Sequence, residues 1–492
     1  MRSTTVERLS GHPLMPSLFA WVLVSVSGLV PPFSRDALNH HLILPMLWSE
    51  YGLFWRDASL GFTAYPPLAD IPYLLFSQQT WDWAASLWHA LAALIVLFLL
   101  DRAMRHLSLP DEVRMWSALA WICTPVVVVL CTWSYVDLWL CVVAATMAER
   151  LLRPEWQKSD AWVFGLCLGL GLLIKYNGVP LAIAGMLALA WRWRGQPNMV
   201  AWAYIWRAGL AGTLVGAWWY VGNFLLFGYP LYPIGEGGAT SWLQYRQLAY
   251  GESVWWAALA PLRAFFWGEV NNARLFDGML HPFYLLGLAG VWLHRRSDRI
   301  AALGLFGLVY VLISFSTGVR ARYLLPGVLV WLPLFGLVWA HVGRRLRPLL
   351  LVVGLGPALI VSGMYLYNLA PWTYWLQGRD AFLQHHLSDY PIQRWASGHL
   401  EDDASVYLLW MGGRAYYLER EYSVDFGTEG KRLRESIQTG KMFLYDYLLM
   451  QREQAERTLG VDIGPTWQEF LASSCLVRRD GGYELWRMKT CE

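Results

Sequence analysis

Ionisable side chains are scarce inside the apolar runs of this chain, and those at run ends fall at recurring places. Asp36 follows the first run, within Pro31-Pro32-Phe33-Ser34-Arg35-Asp36-Ala37-Leu38-Asn39-His40-His41. Ser34 suits a helix N-cap, which puts Asp36 in the first turn and His40 four residues on, on the same face. His41 points about 100° further round. A carboxylate beside an imidazole can take the proton of an acceptor hydroxyl, so Asp36 is the candidate catalytic base. A helix-start Asp favoured by the dipole is the alternative account of the same residue.

The other candidates are Asp70 after Tyr65-Pro66-Pro67, Asp137 after Tyr135-Val136, Lys175 ahead of Tyr176-Asn177-Gly178, and Arg320 with Arg322 between two late runs. Two guanidinium groups on one tight loop suit phosphate, which they grip in bidentate fashion. Each residue also has a plainer account: a turn Asp at 70, a helix cap at 137, a snorkelling Lys at 175 and interfacial anchors at 320 and 322. Cys475 and Cys491 lie in the polar tail and can pair if that tail faces an oxidising compartment; free thiols are the alternative. No metal-ligand spacing is visible, and a divalent cation stays an open cofactor.

The elements that position these residues follow from composition. Of 492 residues, 56% are hydrophobic and only 15% charged, far fewer charges than a soluble protein carries. The net charge of +3 gives no reason to expect nucleic acid. Run length and flanking charge predict about eleven membrane spans, near 14–30, 84–100, 116–131, 136–149, 161–175, 178–192, 208–226, 279–293, 300–316, 323–342 and 348–368. Basic residues crowd one set of connections, including Arg102, Arg105, Arg150, Arg153, Arg192, Arg194, Arg295, Arg296, Arg344 and Arg345. The positive-inside rule makes that side cytoplasmic, with the N-terminus, and puts the C-terminus outside. The candidate residues then share the outer face.

Two outer loops, 31–83 and 228–277, are long and rich in Trp, Tyr, Pro and Gly, which predicts short interfacial helices. The expected organisation is a transmembrane domain over 1–368 and a small extracytoplasmic α/β domain over 369–492. In that domain strands are predicted at 405–410, 441–445, 475–479 and 483–488, with the last two joined across Asp480-Gly481-Gly482, and a helix at 447–459.

Together these pieces resemble the GT-C superfamily of polyprenyl-phosphate-dependent membrane glycosyltransferases, which includes protein O-mannosyltransferases and lipid A aminoarabinose transferases. The likeness rests on Asp36-Ala37-Leu38-Asn39-His40-His41-Leu42, Pro66-Pro67-Leu68-Ala69-Asp70, Tyr135-Val136-Asp137 and Leu173-Ile174-Lys175-Tyr176-Asn177-Gly178. Trp219-Tyr220-Val221-Gly222-Asn223, Gly228-Tyr229-Pro230-Leu231-Tyr232-Pro233, Phe276-Asp277-Gly278 and Arg322-Tyr323-Leu324-Leu325-Pro326 extend it. It departs at His40, where Tyr is usual, at Asp70, where Glu is usual, and at Gly222, where an Arg is usual and one cation is lost.

The resemblance implies a polytopic α-helical enzyme that moves a sugar, with inversion, from a polyprenyl-phosphate donor to a hydroxyl of a cell-envelope glycan, lipid or protein. The expected place is the outer face of a bacterial inner membrane. Asp36 is then the base. Lys175, Arg320, Arg322 and His41 hold the donor phosphate, and His40, Asp70, Asp137, Tyr65 and Tyr176 line the substrate site. The rival classes are a flippase for lipid-linked glycans, which needs a polar path the spans barely offer, and a non-catalytic envelope scaffold.

Overall fold

The structure is a computed structural model, which describes residues 12–76, 81–234, 241–412, 414–425, 430–439 and 443–488. Helices occupy all eleven segments expected to be spans. Among the described residues, five are long and apolar enough to cross a membrane, or six if a bent pair counts as one span. The five are Asp82–His106, Met199–Phe227, Asp298–Ser316, Ala321–Trp339 and Arg347–Gln377. The bent pair, Asp111–Ile122 and Pro125–Cys131, turns by 61°. Pro125 lacks the amide hydrogen that would continue the helix. The other expected spans fall on helices of 11 to 17 residues. At about 1.5 Å per residue even the longest of these is shorter than a hydrocarbon core of about 30 Å.

Close packing sets the ends of these helices. Gly165 and Gly169 on Lys158–Ile174 face Gly212 and Gly216 on Asn198–Phe227. A methyl group at Gly165 would lie 2.4 Å from the Ala208 carbonyl oxygen. Small residues four apart let two membrane helices approach backbone to backbone. Gly178 does the same for the turn after Lys175, since a Cβ there would sit 1.9 Å from the Gly171 carbonyl oxygen. Lys175 is thereby fixed at the end of its helix. The helix Arg347–Leu369 turns Leu349, Val352, Val353 and Ile360 outward, as expected of a face against lipid tails.

The first outer loop carries the helix Ile43–Tyr51 and turns at Gly61–Ala64 and Leu68–Leu75. The second carries Trp242–Tyr250, Val254–Ala258 and Ala260–Arg263. Beyond Leu369 come three short helices and a five-stranded sheet, β1 Ser405–Leu409, β2 Glu421–Val424, β3 Tyr447–Gln451, β4 Cys475–Asp480 and β5 Tyr483–Arg487, in the order β2-β1-β3-β5-β4. Strands β1, β2 and β3 are parallel; β5 pairs antiparallel with β3 and β4.

Two sequence expectations fail in the sheet region, and one strand has no counterpart among them. The helix over 447–459 begins instead as β3, buried almost throughout, and turns helical only from Arg452. A short apolar run fits a central strand as well as a helix. The strand over 441–445 does not form over 443–445, and Lys441 lies outside the described residues. The four-residue edge strand β2 was too short to be legible. Cys475 is disulfide-bonded, while Cys491, its expected partner, lies outside the described residues.

The sheet region is tied to the first outer loop. Arg379 grips the buried carboxylate of Asp82 with two hydrogen bonds of 2.8 and 2.6 Å, and the Tyr416 hydroxyl donates to the same group. The Tyr417 hydroxyl donates to the Pro32 carbonyl, and the Ala415 amide to that of Leu38.

Candidate functional site

The stretch after Ser34 turns helical at once and then widens into a π turn over Ala37–His41, where the Leu42 amide bonds the Ala37 carbonyl five residues back. Asp36 is in the first turn, as expected. The π turn alters the directions of the next side chains, because an extra residue per turn brings both His40 and His41 toward one cavity with Asp36. Such turns recur at functional sites. The Asp36 amide donates to the Tyr135 hydroxyl at 3.0 Å, which joins this segment to the loop before Asp137.

Arg322 sits at the centre of the charges and is only 2% exposed. Its guanidinium is 2.7 Å from Asp36, 3.5 Å from Asp277 and 3.9 Å from Asp137. Lys175 reaches the other oxygen of Asp137 at 2.7 Å, and Arg320 lies 3.4 Å from Asp277. Three carboxylates thus face three cations. A buried charge is tolerated only with such partners. Burial opposes the charge on Asp36, but Arg322, His40, His41 and Lys175 outweigh it and hold that carboxyl well below the usual range.

Behind Asp36, His41 Nδ1 is 2.7 Å from Asp70 Oδ1, with both side chains buried. Burial pushes the Asp70 carboxyl up, to about 8, and pulls the His41 imidazole down, to about 3. Burial thus drives each member of the pair toward its neutral form. Among the described residues His41 Nε2 has no hydrogen-bond partner.

These groups line one cavity of about 760 Å³, inside the roughly 300–1,000 Å³ typical of small-molecule sites. Asp36, His40, His41, Tyr65, Asp70, Lys175, Tyr176, Arg320 and Arg322 are all on its wall. Asp137 is not; it meets the cavity through Lys175, which it bonds, and Arg322, 3.9 Å away. Asp137 therefore anchors a cation instead of capping its helix, and no side-chain cap bond forms there. The Tyr176 hydroxyl lies within hydrogen-bonding reach of the carbonyls of Ala64 and Tyr232, one on each outer loop, and its single proton serves one of them at a time.

The space beside Gly222 is filled by a cation from another part of the chain. Arg56 of the first loop lies 2.8 Å from where a Gly222 Cβ would be, stacks over Trp219 at 3.5 Å and bonds the Asn223 side chain. Among the described residues no group of three or more His, Cys, Asp or Glu side chains is placed to hold a metal ion.

The sequence reading missed four contributors. Asp277 was seen only within a motif, yet it pairs with both arginines, on a turn where Phe276 and Asp277 have φ of 66° and 51°. Tyr135 and Tyr323 present ring faces to Arg322 at 5.0 and 5.2 Å. Lys175 lies 4.9 Å from the Tyr323 ring. The fourth is the sheet region, which lends Trp410, Asp425, Gln454 and Thr458 to the same cavity.

No protein-family model and no curated protein matches the chain. Solved structures do. ArnT from Cupriavidus metallidurans, crystallised bound to undecaprenyl phosphate, superposes with a TM-score of 0.59 at 14% identity, covering 98% of each chain. The fold is that of ArnT. Its apo structure gives 0.60 at 13% identity over the whole of both chains. The oligosaccharyltransferase of Archaeoglobus fulgidus gives 0.51 at 12% identity, covering 94% of this chain and 73% of its own. The GT-C resemblance is thereby borne out at the level of the fold, and the chain is a membrane protein with a small C-terminal sheet.

Proposed function

We propose that this protein is an inverting glycosyltransferase that takes a sugar from a polyprenyl-phosphate donor and places it on a hydroxyl of an envelope acceptor. The observation that carries the reading is the Asp36–Arg322 contact of 2.7 Å in a cavity that Lys175 and Arg320 also line. A base candidate and a set of phosphate-binding cations then touch the same space. The likeness to ArnT, whose crystal structure holds undecaprenyl phosphate, supports the choice of donor.

In this account the donor phosphate meets Lys175 and Arg320 first, since their side chains are 20% and 36% exposed. It then competes with Asp36 for Arg322. While Arg322 pairs with Asp36 the carboxylate is a weak base. Once the phosphate shares that guanidinium, Asp36 gains proton affinity as the substrate arrives. The acceptor O–H gives its proton to Asp36 while its oxygen attacks the anomeric carbon from the face opposite the phosphate. The bond from that carbon to the phosphate oxygen breaks, and the electron pair leaves with the polyprenyl phosphate. Lys175, Arg320 and Arg322 stabilise the growing charge in a poorly solvated site. His41 Nε2 is free to hydrogen-bond substrate, and His40, Tyr65, Asp70 and Tyr176 shape the pocket.

The outward orientation belongs to the same proposal. The helix Asp137–Leu152 starts at the site and ends in an ion-pair network of Arg150 and Arg153 with Glu149 and Asp160. Sixteen residues of helix put these ends about 24 Å apart. Positive-inside counting then makes the network cytoplasmic and the site periplasmic, on a bacterial inner membrane. The disulfide at Cys475 fits an oxidising compartment for the sheet region, residues 369–492.

The test is mass spectrometry of envelope glycans, lipids and proteins from cells with and without the gene. A mass of one sugar, lost on deletion and restored by the wild-type gene, is the expected result. Unchanged envelopes under conditions of verified expression would reject the transferase reading.

A further inference from the structure

The cavity is built from two sources of unlike chemistry. Among the described residues, the helical region supplies all its cations: Arg35, Lys175, Arg320 and Arg322. The sheet region supplies Trp410, Asp425, Gln454 and Thr458 with Gly412 and Val424, and none of these is a cation. Asp425 is already paired with Arg432 at 2.9 Å and accepts a hydrogen bond from the Tyr407 hydroxyl at 2.5 Å. Its carboxylate is thus held in place, with Arg432 as its counter-ion.

The placement of these residues follows from the topology. Trp410 comes directly after β1, Asp425 directly after β2, and Gln454 three residues after β3. Strands β1, β2 and β3 are mutually parallel, so all three loops emerge at one edge of the sheet. The carboxyl edge of parallel strands is where open α/β sheets bind ligands. Trp410 has φ of 54°, a left-handed conformation that a bulky residue seldom adopts, and its ring edge rests on Gly430. Strained backbone of this kind gathers at ligand sites. Gln454 and Thr458 stand four residues apart on the run after β3 and both reach the cavity. A cavity wall that combines an indole with an amide, a hydroxyl and a fixed carboxylate suits an uncharged ring rich in hydroxyl groups.

We infer that the carboxyl edge of the C-terminal sheet is the acceptor subsite, and that it holds a neutral saccharide ring against Trp410. This rests on the proposed transferase activity. It divides the labour of the cavity: the helical region grips the charged lipid phosphate, and the sheet region holds the sugar whose hydroxyl reacts.

The experiment uses the full chain. Cells lacking the gene are complemented with wild type, Trp410→Ala, Trp410→Phe or Gln454→Ala, and the glycan product is quantified by mass spectrometry. The same proteins, purified into nanodiscs, are titrated with undecaprenyl phosphate and with the glycosylated polyprenyl-phosphate fraction extracted from the deletion strain. Trp410→Ala is expected to lower product more than tenfold with Kd for both lipids within twofold of wild type. Trp410→Phe keeps at least a third of the product, and Gln454→Ala lowers it at least threefold. Unchanged product in Trp410→Ala and Gln454→Ala overturns the subsite. Weaker binding of the glycosylated lipid alone overturns it too, because the wall then reads the donor's sugar. A product sugar found on protein Ser or Thr overturns the saccharide assignment. If Trp410→Ala loses affinity for undecaprenyl phosphate through misfolding, the exposed Gln454 decides the matter. Failure of wild type to bind either lipid rejects the transferase reading itself, a different outcome from all of these.

Discussion

Asp36→Asn abolishes transfer while leaving the donor bound. The substitution keeps the shape of the side chain and removes its capacity to accept a proton, so turnover falls by about 10²–10⁴-fold, the usual worth of a positioned base. Donor affinity moves the other way. Arg322 loses its 2.7 Å partner, so its guanidinium is freer to hold phosphate and Kd for the donor stays level or tightens. A folding defect would weaken both quantities together, and the split between them marks chemistry. Single-turnover transfer from the lipid donor, with a parallel binding titration, measures it. Near-normal turnover would remove Asp36 from the role of base.

Arg322→Met has the second large effect, and it acts on stability as well as on binding. Among the described residues, Arg322 is the one cation within 4 Å of Asp36, Asp137 and Asp277 together. Met approximates the stem but removes the ion-pair partner of Asp36, while Asp137 keeps Lys175 and Asp277 keeps Arg320. Breaking a buried ion pair on one side costs about 3–5 kcal/mol. The variant should unfold at a markedly lower temperature in nanodiscs and bind donor at least tenfold more weakly. Adding Asp36→Asn to it should recover part of the lost stability, because the two residues are in direct contact and their effects do not add. Strict additivity, or donor affinity equal to wild type, would contradict the buried ion cluster around Arg322.

Much of this site is legible in the sequence for one physical reason. In a chain so poor in charge, a carboxylate or a guanidinium at a span end needs a partner, and the partners at one membrane depth are few. That is why Asp36, Lys175, Arg320 and Arg322 could be set on one face from sequence alone. The same logic reached Asp70 and His41, although not that they would bond each other 2.7 Å apart. What sequence patterns missed depends on backbone detail or on distant pairing. The π turn at Ala37–His41 differs from an ordinary helix by one residue per turn. Asp137 looks like a cap because helix starts favour Asp, yet its oxygen goes to Lys175. Arg56 lies beside Gly222 across more than 160 positions of chain, beyond the reach of any local motif. Trp410 and Gln454 meet the site through parallel strand pairing, whose crossovers leave little trace in local periodicity.

The central claim is that the cations of this cavity hold a lipid-linked phosphate. Titration of the nanodisc-embedded full chain with undecaprenyl phosphate addresses it most directly, comparing wild type with Lys175→Met and with Lys175→Met/Arg320→Met. The account predicts saturable binding by wild type, at least a fivefold loss in the single variant and a larger loss in the double. Equal affinity in all three proteins would contradict it.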